Sequence, residues 1–196
     1  MKTKSVSPVM KLTMTALLSA MAVVLGLWRF PIFPSASFLC FDFADVPVLL
    51  ATLIFGPAAG LGGLFCVCAI QAFLLGGDGL IGFVMHMLAS GTMLLTVYAV
   101  CGKKRTGLRL IVGLAAGTLA MAAVMIPLNY LLTPIYTGAP REAITGLLLP
   151  VLIPFNLIKA GGNCLLAGML YRLLTPVLRQ YGLADGEKRL EPKNEE

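Results

Sequence analysis

Five long stretches of this 196-residue chain, 12–28, 46–77, 79–102, 110–140 and 143–171, contain a single formal charge among them, Lys159. That pattern constrains the fold more than any other feature. A helix crossing a bilayer needs about 20 mostly apolar residues. A soluble domain of this size has no core large enough to hide so much apolar sequence. Hydrophobic residues make up 58% of the chain and charged ones 12%, where a soluble domain carries about 25% charge. A mean hydropathy of +0.90 also excludes a disordered chain. The solvent that accepts this surface is a lipid bilayer.

The runs divide into six helices. The first is 12–28, read as a retained helix because Arg29-Phe30-Pro31 follows it rather than a small-residue cleavage site. The 46–77 stretch is too long for one upright helix. Gly56-Pro57 and the glycines at 60, 62 and 63 break it near the middle, giving helices over about 44–60 and 61–76. Further helices follow over about 80–101 and 108–132. After a Pro/Tyr/Gly connection comes a last helix over 143–171, bent near Pro154. The fold class is all-α, a polytopic six-helix membrane domain over 1–182 with a polar cytoplasmic tail over 183–196.

Six spans with both termini cytoplasmic put twelve of the fifteen Lys and Arg residues on the inner side: Lys2, Lys4, Lys11, Lys103, Lys104, Arg105, Arg109, Arg172, Arg179, Lys188, Arg189 and Lys193. Asp42, Asp45, Asp78 and Glu142 fall outside. This asymmetry accounts for the net charge of +6 without a nucleic-acid partner. The five cysteines, Cys40, Cys66, Cys68, Cys101 and Cys164, have neither zinc-ligand spacing nor a disulfide-framework pattern. No metal or cofactor is implied.

Polar groups within the apolar runs need a reason. Lys159 lies deep in the last run, and Asn156 and Asn163, at i−3 and i+4, share its face. The face is either an interhelix hydrogen-bond cluster or the wall of a polar pocket. An amine with flanking amides suits an uncharged ligand rich in carbonyls and hydroxyls. Asn129 stands at similar depth in the fifth helix. Gln71 and His86 are lone polar residues, read as packing hydrogen bonds. The first outer loop, 30–43, holds two prolines and five phenylalanines; a stiffened aromatic surface suits stacking on a flat ring, or a membrane-interface belt. Asp42 and Asp45 are placed to cap the next helix. Ala16 and Ala20, one turn apart, give the first helix a small face, widened by Ser19 and Ala22, that another helix can approach closely.

Three stretches together resemble the substrate-binding S components of energy-coupling factor (ECF) vitamin transporters, and among them the riboflavin-specific members. They are Phe41-Asp42-Phe43-Ala44-Asp45-Val46-Pro47, Pro127-Leu128-Asn129 and Pro154-Phe155-Asn156-Leu157-Ile158-Lys159. The resemblance, extending over roughly 10–180, implies a vitamin captured from outside the cell and released inward. Asn129, Asn156 and Lys159 would bond the polar edge or ribityl chain of riboflavin. Phe38, Leu39, Phe41 and Asp42 would line and cover the ring. Ala16 and Ala20 would dock on the ECF transmembrane coupling subunit. ATP hydrolysis would belong to two separate ATPase subunits, in keeping with the lack of a GxxxxGK[ST] phosphate loop in this sequence. Two further classes stand beside this reading: an intramembrane enzyme using His86 or a cysteine, and a ligand-free structural membrane protein. An S component for another vitamin or precursor is the alternative within the family.

Overall fold

The computed structural model describes residues 7–75, 79–102, 105, 107–181 and 183. The tail and the charges at Lys2, Lys4, Asp78, Lys103, Lys104, Lys188, Arg189 and Lys193 lie outside the described residues. The helices are α1 (Pro8–Leu25), α2 (Asp45–Phe55), α3 (Pro57–Ala69), α4 (Gly79–Cys101), α5 (Gly107–Thr137), α6 (Arg141–Leu147) and α7 (Ile153–Gln180). A π-helical turn, Ile70–Leu74, extends α3, and another, Leu148–Leu152, joins α6 to α7. Helices dominate for a physical reason: in lipid every backbone N–H and C=O must find its partner within the segment.

Among the described residues, five helical runs are long and apolar enough to cross a membrane: Pro8–Leu25, Pro57–Leu74, Gly79–Cys101, Gly107–Thr137 and Arg141–Gln180. The sixth, α2, has only 11 residues. At 1.5 Å per residue it covers about half of a hydrocarbon core roughly 30 Å thick. Yet it is the most enclosed helix, with ten of its residues buried. Large apolar side chains such as Leu12, Leu80, Leu149 and Leu173 point outward, as a lipid-facing surface requires.

Several boundaries differ from the sequence reading, each for a local reason. The break between the second and third helices falls at Gly56, ahead of the predicted 60/61. Pro57 at the first helical position cannot continue the preceding hydrogen-bond ladder, and Gly56 takes φ +94°, which costs glycine nothing. α5 runs through Pro127 and Pro134 to Thr137, past the predicted end at 132 and through the predicted connection. Polar side chains back-bond to carbonyls one turn earlier on this stretch: Asn129 Nδ2 donates to Met125 O at 2.7 Å and Thr137 Oγ1 to Thr133 O at 2.8 Å. The last helical run extends past the predicted 171 to Gln180, and its irregular π turn, Leu148–Leu152, lies next to Pro154. The first outer loop is not free of strand: Phe30–Pro31 pairs antiparallel with Cys40–Phe41, a small correction to an all-α fold.

α4 and α5 pack closely because Gly113 and Gly117 of α5 face α4. A Cβ at Gly117 would fall 2.4 Å from Val97 Cγ2, the small-xxx-small arrangement of membrane helix pairs. One end of the bundle gathers basic groups. Arg105 is buried, donates to Leu53 O at the end of α2 and lies over the Tyr98 ring. There it satisfies an orphan helix-terminal carbonyl. Arg172 donates to Gly107 O at 3.4 Å at the same end. The 30–43 loop closes the opposite end.

Candidate functional site

A cavity with about 1020 Å³ of empty space, part of it open to solvent, lies at the loop end of the bundle. Its walls come from the 30–43 loop, the π turn after α3, α4, α5 and the start of α7. Apolar side chains make most of the lining, among them Phe38, Leu39, Phe83, Met85, Met121 and Met125. The three methionines are unbranched and polarisable, and such side chains adapt to flat rings.

The loop is shaped by its own aromatic residues. Phe30, Phe41 and Phe43 form a ring cluster, with centroids 5.4 Å apart for Phe30–Phe41 and 5.0 Å for Phe41–Phe43. Ala36, Leu39 and Phe41 pack with Ile144, Val151, Leu152 and Phe155. The phenylalanines therefore divide: Phe38 faces the cavity, whereas Phe41 is buried in the loop's packing and is not among the lining residues.

Asp42 ties the loop to α7. Its Oδ2 accepts from Lys159 Nζ at 2.7 Å, and its Oδ1 accepts from Ala44 N–H at 3.0 Å at the start of α2. Asn163 Nδ2 donates to Asp42 O at 3.1 Å. The sequence places Asp42 and Asp45 to cap α2, but no side chain caps this helix; Asp42 closes a turn just ahead of it and pairs with the deep lysine. Both partners are largely shielded, with side-chain exposures of 13% for Lys159 and 5% for Asp42. A shielded pair of this kind neutralises itself, so the wall offers a ligand a donor and an acceptor with no net charge.

Asn129, Asn156, Lys159, Asp42, Phe38 and Leu39 all line the cavity. Asn129 is satisfied within its helix, donating to Met125 O and accepting from Thr133 Oγ1 at 2.9 Å. Asn156 donates to Leu152 O at 2.7 Å, while its buried Oδ1 has no partner. Asn163 shares the Lys159 face but serves the loop and is not among the lining residues. Ala16 and Ala20 are not among the lining residues and are exposed on α1. Ser19 and Ala22 do not widen that face. Ala22 is fully buried, and Ser19 Oγ would lie 2.7 Å from a Cβ at Gly63 of α3.

The reading of isolated residues missed a second polar group of the lining. His86 Nε2 lies 3.2 Å from Asp45 Oδ1, and Gln71 is buried against the cavity with neither amide atom bonded. The carboxylate partner of His86 comes from α2, 41 positions away, where no helical spacing reveals it. The available signal was an acid opening an otherwise apolar helix. Among the described residues, no three His, Cys, Asp or Glu side chains gather as a metal site.

The ECF transporter, substrate-specific component family model matches residues 10–171. The chain belongs to this family. The S component is 35% identical over 176 residues to "Riboflavin transporter RibU" of Staphylococcus aureus (strain TCH60), covering 87% of this chain and 93% of that one. It is 31% identical over 182 residues to "Riboflavin transporter FmnP" of Bacillus subtilis (strain 168), covering 88% and 95%. A solved structure described as "Structure and mechanism of the S component of a bacterial ECF transporter" superposes with a TM-score of 0.78 at 35% identity, over 88% of this chain and 99% of that one. The S component is thus a multi-pass protein of the cell membrane with a transport role, not an enzyme.

Proposed function

We propose that this S component binds riboflavin at the outer face of the membrane and delivers it inward when docked on the ECF transmembrane coupling subunit and its two ATPase subunits. The observation that carries the reading is the cavity's make-up: aromatic and methionine walls interrupted by Asn129, Asn156 and the Lys159–Asp42 pair. Small-ligand sites have this form, with apolar area for affinity and a few placed polar groups for orientation. Two full-length relatives named as riboflavin transporters support the choice of ligand.

In this reading the tricyclic ring lies against Phe38 and the methionines, where it sheds water. The ribityl hydroxyls meet Lys159, Asp42 and the free Oδ1 of Asn156. The mouth lies at the loop end, away from the end where Arg105 and Arg172 gather. With Lys and Arg favouring the cytoplasmic side, the cavity opens outward and six spans leave both termini inside. The exposed face with Ala16 and Ala20 is the docking surface for the coupling subunit.

Purification tests the reading. Protein isolated from riboflavin-fed cells should retain a yellow ligand that fluoresces as riboflavin after extraction. A different extracted vitamin, with riboflavin absent, contradicts it.

A further inference from the structure

Gln71 is the cavity's unspent recognition group. It is 4% exposed, lines the cavity, and has no partner on Oε1 or Nε2. Local backbone brings it there. The π turn Ile70–Leu74 shifts the helical register at this residue, and such turns recur at functional sites. Nε2 packs against the end of α1, where a Cβ on Gly26 would fall 1.8 Å from it, and a turn of the side chain brings the amide to the cavity that Gln71 lines. The neighbouring polar groups are already committed, His86 to Asp45 and Lys159 to Asp42. A buried amide with both functions unbonded is costly unless something in the cavity satisfies it.

A primary amide presents one donor and one acceptor side by side in a plane. Its geometric complement is an N–H beside a C=O on a flat ring, joined by two parallel hydrogen bonds. Hydroxyl chains do not offer that fixed pair. We propose that Gln71 is a specificity-determining residue that reads the imide edge of the ligand's ring, in riboflavin N3–H and an adjacent carbonyl. Nε2 donates to the carbonyl and Oε1 accepts from N3–H. The assignment rests on the riboflavin reading above.

The test crosses two proteins with two ligands. Wild type and Gln71→Met, an unbranched replacement without the amide, are each titrated with riboflavin and N3-methylriboflavin by flavin-fluorescence quenching. Methylation should weaken binding to wild type by at least about tenfold, since it removes the donor and leaves Oε1 unpaired. Gln71→Met should bind riboflavin about tenfold more weakly and should no longer separate the two flavins. Gln71→Leu serves the same comparison if Gln71→Met fails to fold. A variant that still discriminates as strongly as wild type overturns the proposal, as does a wild type that binds both flavins equally. A wild type that binds no riboflavin overturns the riboflavin reading itself, and this proposal with it.

Discussion

The two polar walls of the cavity differ in how their groups are satisfied. On the α7 side, Lys159 and Asp42 bond to each other, Asn163 donates to Asp42 O behind them, and together they fasten the 30–43 loop to the bundle. On the side of α3, Gln71 is bonded to nothing. Buried groups that satisfy each other fix the shape of a site. Buried groups left open recognise what enters it. Asn156 stands between the cases, with its amide N–H₂ donating to its own helix and its oxygen open.

The largest expected effect breaks the fastened wall. Lys159→Ala leaves the Asp42 carboxylate shielded and unpaired, and losing one member of a buried pair costs about 3–5 kcal/mol. Tm should fall sharply and riboflavin binding should weaken by at least about a hundredfold. Adding Asp42→Ala to it should recover part of the Tm but not the binding. A double variant no more stable than Lys159→Ala would mean the pair does not hold the loop.

A smaller effect probes the open oxygen. Asn156→Ala should weaken riboflavin binding by about 1–3 kcal/mol, roughly ten- to a hundredfold, with little change in Tm. Its side-chain bond reaches only Leu152 O, in the π turn one helical turn earlier. A large fall in Tm with unchanged affinity would move Asn156 to the fastened group.

The smallest effect on the pocket is expected from α1, whose membrane-length window is only 11% buried. Replacing Ala16 and Ala20 together by Trp should leave riboflavin affinity within about twofold of wild type. Association with the ECF module should be lost, because close helix approach depends on small side chains. Loss of ligand binding in this variant would place the alanines against the protein's own helices, and wild-type uptake would refute the docking face.

The sequence made some of this legible and hid the rest. Helix existence could be read because charge-free length is a strong signal. The positions of Asn129, Asn156 and Lys159 could be read because polar residues at depth are rare. Boundaries were harder: the expected helix passes Pro127 and ends at 132, short of Pro134, whereas α5 runs on through Pro134 to Thr137. Pairings between distant elements were invisible: Asp42 meets Lys159 across 117 positions and Asp45 meets His86 across 41. Phe41 looked like its neighbour Phe38 in sequence, and only the two-residue ladder with Phe30–Pro31 shows that it faces the loop's core.

The central claim is that this cavity holds riboflavin, and a fluorescence titration of the purified, ligand-free protein tests it most directly. Flavin emission should be quenched in a sharp, equimolar titration with a Kd in the nanomolar range, roughly −12 kcal/mol. Thiamine, biotin and folate in excess should not displace the flavin. Unquenched riboflavin, together with tight binding of one of those vitamins, would contradict the account.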